Sequence, residues 1–366
     1  MHIIMAGGGT GGHLFPGLAL ARQLAAGRPD TRISFIGTSH GLDLEIVPRA
    51  GYAIDIVAAG RGSPLNWRHP SYLPRFAVAV AQSIHLLRMY RPAVVVALGG
   101  FAAAAPGIAA RVLGVPLVIL EQNTVPGRVN RLLSRWAERI YLQFRDARAH
   151  FPAGRAKFYD FGTPLREKIY ALSREKPCRG EALLIVGGSQ GAAKMNEIVS
   201  QAMPEILDAL HCPVIHVTGA ADEEKIREFY RKKNLQVETI GFCAQMEEVL
   251  RRARLVISRA GAGGIADITA AGLPSILIPL PTAAANHQYF NARWLADQGG
   301  AKLLEQPSLT PEILAQTVCG LWRDEKEREG MAQLARRAAR PEAAREIADS
   351  ICELIAERGN GHAPTV

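Results

Sequence analysis

His13 closes a glycine run, Gly7-Gly8-Gly9-Thr10-Gly11-Gly12, between a short apolar stretch (His2 to Ala6) and apolar residues at helical spacing, Leu14, Leu18, Ala21, Leu24 and Ala25. Glycine lets backbone approach a ligand closely and take positive φ. A helix starting behind such a turn offers unpaired N–H groups and the positive end of its dipole, suited to phosphate or to developing negative charge. An imidazole at that junction can take or give a proton near neutral pH. Together they suit transfer chemistry on a nucleotide-linked donor, although a histidine here by itself would serve equally as a cap or packing residue.

Two further glycine turns follow apolar runs. Gly187-Gly188-Ser189-Gln190-Gly191 comes after Ala182 to Val186, and can wrap a phosphate with N–H groups and the Ser189 hydroxyl. It lacks the Gly-Lys-Ser/Thr ending of a P-loop, so ATP hydrolysis is not indicated. Arg259-Ala260-Gly261-Ala262-Gly263-Gly264 comes after Leu255 to Ser258, and Asp267 beyond it is placed to accept hydrogen bonds from ribose hydroxyls. Two polar clusters, Glu121-Gln122-Asn123 and Asn286-His287-Gln288-Tyr289-Phe290-Asn291, carry amides able to read sugar hydroxyls. Each is also compatible with ordinary loop or cap chemistry. A nicotinamide site wants an acidic residue roughly twenty residues past its glycine turn; the second strand, Arg32 to Gly37, ends without one.

The elements that position these groups alternate. Strands are expected at 2–6, 32–36, 53–57, 93–98, 116–120 and 138–142, with helices at 14–26, 72–89, 102–113 and 127–135 between them. That rhythm predicts a parallel, doubly wound sheet with right-handed crossovers. A charged stretch, Arg166 to Glu181, reads as a linker. The rhythm then restarts, with strands at 182–186, 213–217, 236–240, 254–258, 275–279 and 301–304 and a helix from about 192. Two α/β domains are expected, 1–162 and 163–341, with ligands in a crevice between them. The tail from Thr310 is helical, Pro341 breaks it, and a last helix at 342–357 is expected to pack back on the first domain.

The 366-residue chain carries net charge +9, favouring an anionic partner. Nucleic acid is not indicated, because no basic run is threaded with aromatics and no finger or RNP-type motif occurs. Five scattered cysteines without a CxxC pair argue against zinc and against a disulfide framework, and fit a reducing cytoplasmic setting. No signal peptide or membrane span is expected. Segment 72–91 places Phe76, Val80, Ile84 and Leu87 at helical spacing, with Arg68, Arg75, Arg88 and Arg91 nearby; this is either a core-facing amphipathic helix or a peripheral membrane face.

Gly8-Gly9-Thr10-Gly11-Gly12-His13, Gly99-Gly100-Phe101, Glu121-Gln122-Asn123, Gly187 to Gly191, Arg259-Ala260-Gly261 and His287-Gln288 with Asn291 share the order and spacing of one family. Over about residues 2–357 the chain resembles the bacterial MurG family, UDP-N-acetylglucosamine:lipid I N-acetylglucosaminyltransferases. The resemblance implies a GT-B fold of two Rossmann-like domains around a cleft, with no metal or other cofactor. It implies transfer of GlcNAc from UDP-GlcNAc to the C4 hydroxyl of MurNAc in lipid I, with inversion, at the cytoplasmic face of an anionic bacterial membrane. The product would be lipid II, a peptidoglycan precursor. An alternative is a related GT-B transferase acting on another lipid or small molecule. A UDP-GlcNAc 2-epimerase and a non-catalytic UDP-sugar sensor are more distant readings.

Carried over by position, the resemblance makes His13 the general base on the acceptor hydroxyl. Ser189 and Arg166 would meet the diphosphate, Cys243 the uracil, and Ala262, Gly263, Gly264, Ile265, Ala266 and Asp267 the ribose and phosphate. Gln288 and Asn291, with His287 adjacent, would read the sugar, while Thr10, Gly11, Gly12 and Asn123 close over the donor. Gly99, Gly100, Phe101 and Glu121 fall on the acceptor side. Three departures stand out: Asp267 where the family usually has Glu, Leu120 where a histidine is common, and an uncharged Pro281 to Ala285 loop.

Overall fold

A computed structural model describes residues 1–39, 43–58, 72–176, 180–188 and 192–360. The chain forms two compact units, Met1–Arg166 together with the segment from Pro341, and Glu167–Arg340. In the first, the chain runs β1 (His2–Gly7), α1 (Gly11–Gly27), β2 (Arg32–Thr38), α2 (Asp43–Arg49), β3 (Ala53–Val57) and α3 (Tyr72–Tyr90). It continues through β4 (Val94–Gly99), α4 (Ala104–Leu113), β5 (Leu117–Glu121), α5 (Arg128–Leu133), β6 (Arg139–Leu142) and β7 (Lys157–Tyr159). These strands form one parallel sheet in the order β3-β2-β1-β4-β5-β6-β7. Its central strands are near-continuous apolar runs because helices cover both faces: Ile3 to Ala6 and Val94 to Leu98 are fully buried.

The second unit begins with α6 (Glu167–Arg174), β8 (Ala182–Val186), α7 (Ala193–Leu210), β9 (Val214–Val217), α8 (Glu223–Lys232), β10 (Glu238–Ile240) and α9 (Met246–Arg252). It proceeds through β11 (Ala253–Ser258), α10 (Ala262–Ala271), β12 (Ser275–Leu277), α11 (His287–Ala296), β13 (Lys302–Leu303), α12 (Pro311–Arg323) and α13 (Glu325–Ala338). Its sheet is also parallel, ordered β10-β9-β8-β11-β12-β13.

The last helix, α14 (Ala343–Asn360), belongs to the first unit. Its Ala343, Ile347, Ile351 and Leu354 join the cluster formed by Leu14, Leu18 and Leu24 of α1. Arg139 on β6 clamps it: the buried guanidinium donates to Ser350 O at 2.6 Å and Ser350 Oγ at 2.8 Å, and pairs with Glu353 and Glu357 at 3.2 and 3.1 Å.

Several segments differ from the sequence expectation. The charged stretch read as a linker contains α6, which is helical because Ile169 and Leu172 share one face and bury it. Asp324 splits the tail by capping α13, its carboxylate accepting from Glu327 N at 2.8 Å. Elements α2 and β7 were not expected. On α3, Leu87 is buried and Phe76, Val80 and Ile84 pack against the core, so this stripe faces inward and is not a membrane face. Arg68 lies outside the described residues.

Unit two holds a buried polar chain beneath β8 and β9. Asn196 Nδ2 donates to Thr218 O and Asp222 Oδ2, at 2.9 and 2.8 Å. Its Oδ1 is therefore the acceptor facing His216 Nε2 at 3.2 Å, which leaves His216 Nδ1 to accept from Tyr230 O–H at 2.8 Å. Burial lowers the His216 pKa from its ordinary 6.5 to about 3, so the folded ring stays neutral. Between these two values the unfolded chain binds a proton that the folded chain does not. Stability contributed by the neutral ring is therefore complete above about pH 6.5 and declines as pH falls toward 3. His216→Phe should remove up to one proton of this slope, about 1.4 kcal/mol per pH unit, in urea unfolding measured between pH 7 and 4.

Candidate active site

In a parallel sheet every strand ends on the same edge, and ligands favour the point where successive crossovers part to opposite faces. In unit one that point lies between β1 and β4. The residues singled out from sequence gather there: Gly7 to His13 follow β1, Gly99 to Phe101 follow β4, and Glu121 to Asn123 follow β5.

Thr10 caps α1 in extended conformation, and Gly11, Gly12 and His13 form its first turn. Thr10 Oγ1 lies 3.0 Å from His13 Nδ1. The half-buried ring rests on Gly99, where a Cβ would come within 2.8 Å of His13 Cδ2 and 3.0 Å of Nε2. Gly99 also has φ +100°, so a side chain there is excluded twice over. Behind Thr10, both Asp43 carboxylate oxygens lie 2.8 Å from Gly9 N. Sequence reading passed over Asp43, because its only signal was one acid in a segment given no element.

Glu121 is buried, and its carboxylate is spent on its own loop. Oε1 accepts from Asn123 N at 2.9 Å; Oε2 accepts from Gly127 N at 3.1 Å and Asn130 Nδ2 at 2.8 Å. Burial raises its pKa, partly offset by these donors. Glu121 thus shapes the loop that carries half-buried Asn123, and its side chain does not face solvent. Gln122 Oε1 and Asn130 Oδ1 are buried and have no hydrogen-bond partner. Phe101 packs its ring 6.0 Å from that of Phe76. Arg166 closes the first unit, with its guanidinium 5.5 Å from the Phe15 ring centre on α1.

Unit two repeats the arrangement between β8 and β11. Gly187 and Gly188 leave β8, and Gly188 has φ +92°; Ser189 lies outside the described residues. After β11, Gly261 caps α10. Gly263, Gly264, Ala266 and Asp267 are partly exposed on its first two turns, while Ala262 and Ile265 face the core. Half-buried Cys243 lies between β10 and α9, beside exposed Phe242.

The turn after β11 is braced from inside. Arg259 is buried and donates to Ile278 O at 3.1 Å, Pro279 O at 3.2 Å and Gln306 Oε1 at 2.6 Å. Burial lowers its pKa to about 10, which still leaves it cationic at neutral pH. Asn291, fully buried, donates from Nδ2 to Ala260 O at 3.2 Å. Its side chain thus holds the turn and is not presented to solvent, unlike the amide expected to read a sugar. Gln288 Oε1 accepts from Leu280 N at 3.0 Å, and His287 Nδ1 lies 2.8 Å from Ala284 O. A carbonyl only accepts, so that His287 nitrogen carries the proton. Ala285 and Asn286 before α11 have φ +51° and +54°, a strained path for residues with side chains.

Two family models match the chain, one within each unit's sheet-forming segment, the second running on into the start of α14. The glycosyltransferase family 28 N-terminal domain covers residues 3–142 and the glycosyltransferase family 28 C-terminal domain covers 182–350. A protein of Anaeromyxobacter dehalogenans is 38% identical over 98% of this chain and 94% of its own length. It is named UDP-N-acetylglucosamine--N-acetylmuramyl-(pentapeptide) pyrophosphoryl-undecaprenol N-acetylglucosamine transferase. This chain belongs to the MurG family of glycosyltransferases. The crystal structure of Acinetobacter baumannii MurG superposes with a TM-score of 0.75 at 31% identity, covering 96% of this chain and 99% of that one. The fold is accordingly GT-B, with two Rossmann-like parallel-sheet domains. A UDP-N-acetylglucosamine 2-epimerase structure, 13% identical with a TM-score of 0.66 and covering 98% of this chain and 96% of that one, shares the fold alone.

The Glu121 geometry predicts that Glu121→Ala removes the acceptors of Asn123 N, Gly127 N and Asn130 Nδ2 and costs about 1–3 kcal/mol. Urea unfolding should read that loss, and Glu121→Gln should recover only part of it, because one amide oxygen cannot replace two carboxylate oxygens.

Proposed function

We propose that this chain transfers GlcNAc from UDP-GlcNAc to the C4 hydroxyl of MurNAc in lipid I, forming the β-1,4 linkage of lipid II. The observation carrying this reading is the Thr10–His13 pair at the start of α1, in a chain that matches transferases of that name along nearly its whole length. With Nδ1–H donated to Thr10 Oγ1, His13 Nε2 holds the lone pair and serves as general base. It takes the proton of the acceptor hydroxyl as the oxygen attacks C1 of GlcNAc from the face opposite the leaving group. The C1–O bond breaks with inversion, and UDP leaves with the bonding electrons.

Most donor contacts are assigned to unit two: Ser189 and the Gly187-Gly188 backbone to the diphosphate, the first turn of α10 with Asp267 to ribose and phosphate, and Cys243 to the uracil edge. N–H groups of that helix turn suit the negative charge that grows on the diphosphate. Gln288 and His287 are assigned to the sugar, with Asn291 supporting the turn beside them. In unit one, Thr10, Gly11, Gly12, Asn123 and Arg166 are assigned to the donor, and Gly99, Gly100, Phe101 and the Glu121 loop to the acceptor.

A membrane surface is the further partner. No helix among the described residues is long and apolar enough to cross a membrane. The outward side of α3 exposes Leu73 and Val78 by 67% and 49%, with Arg75 also exposed, and Met89 by 56% beside Arg88. Apolar residues flanked by arginines suit a peripheral contact with anionic headgroups, worth about 1 kcal/mol per nearby basic residue.

Purified protein should release UDP from UDP-GlcNAc only when lipid I is present. His13→Ala should lower kcat by about 10²–10⁴ while leaving UDP-GlcNAc affinity within about twofold. Acceptor-free formation of UDP-ManNAc, or equal transfer to diacylglycerol, would overturn the assignment. Leu73→Ser with Val78→Ser should weaken sedimentation with phosphatidylglycerol vesicles and spare turnover of a short-chain, soluble lipid I analogue. Unchanged sedimentation would remove α3 from the membrane contact.

A further inference from the structure

We propose that Asp43 is a positioning residue of the catalytic turn: its buried carboxylate grips the Gly9 amide and fixes the backbone that carries Thr10 and His13. The inference rests on the reading of His13 as the base.

Gly7, Gly8 and Gly9 have φ of +115°, +140° and +82° in succession. Three residues in this region form a path that glycine tolerates but does not prefer over others, so something outside the turn must select it. Asp43, the first residue of α2 and only 1% exposed, is the side chain in place to do so. Both of its oxygens lie 2.8 Å from Gly9 N, so the carboxyl group accepts from this one donor. The carboxylate lies flat on Gly8, where a Cβ would meet Oδ1 at 2.5 Å; a Cβ on Gly37, near the end of β2, would stand 3.4 Å from Oδ2. The group is thus wedged between the glycine turn and the end of β2.

Gly9 directly precedes Thr10, whose hydroxyl lies 3.0 Å from His13 Nδ1. Release of Gly9 would let the Thr10 cap and the imidazole drift together off Gly99. The acid expected after a second strand in a nicotinamide site binds ribose; here the nearest acid beyond β2 is turned inward on backbone instead.

The test uses the full chain with Asp43→Ala, Asp43→Asn and, in parallel, His13→Ala. Asp43→Ala should lower kcat by about 10- to 100-fold with KM for UDP-GlcNAc within about twofold. Hydrogen exchange of the Gly7–Gly12 segment should accelerate in the same variant. Asp43→Asn keeps one oxygen for the Gly9 amide and the size of the side chain, and should recover most of kcat and of the exchange protection. Asp43→Ala with kcat within about threefold of wild type, or with a loss matched by the unfolded fraction, overturns the inference. Asp43→Asn as slow as Asp43→Ala, with exchange at the turn unchanged, also overturns it. If His13→Ala alone keeps wild-type kcat, the base assignment fails, and turn exchange in Asp43→Ala still decides whether the carboxylate grips Gly9.

Discussion

Strands β1 and β4 lie side by side and run parallel, with Gly7 in register with Gly99, yet their crossovers leave for opposite faces of the sheet. Helix α1 packs into the cluster with Leu14 and Leu18, and α4 into the one with Ala105 and Ala109. Where the two paths part, both strands end in glycine, and a Cβ at Gly7 would collide with Gly99 O. Gly99 meets this constraint by making room for the His13 ring. The second sheet solves the same problem between β8 and β11 with Gly187, Gly188 and the turn into α10. His13 in the first sheet and the turn into α10 in the second are placed by these two points.

A second layer keeps the exposed turns in shape. Glu121, Asp43, Arg259 and Asn291 are polar or charged and buried, and each bonds to backbone of a glycine-bearing or polar loop. Buried polar groups are costly unless satisfied, which makes such bonds selective for one loop conformation. The polar side chains of His13, Asn123, Asp267, His287 and Gln288, by contrast, are half-exposed.

Much of this was legible in the residues. The strands were readable because a strand buried on both faces is a short, unbroken apolar run, and the glycine turns marked their ends. Helix α6 was masked by its charge, since only Ile169 and Leu172 report its inner face. The α3 stripe was ambiguous because a helix facing a core and a helix facing lipid carry the same apolar period. Motif membership also concealed a division of labour: Glu121 and Asn291 sit inside sequence signatures beside exposed partners, and nothing in their spacing says which side chain turns inward.

By itself, the sequence determined the fold class, the family and the strand ends marked by glycine turns, because periodicity, glycine turns and motif order are local properties. Tertiary structure alone decided which polar residues face inward. It brought Asp43 onto Gly9 across 34 positions and Arg139 onto Ser350 across 211, and it set the His13 ring over Gly99. Such pairings arise from sheet order and crossover direction, so no local pattern along the chain encodes them.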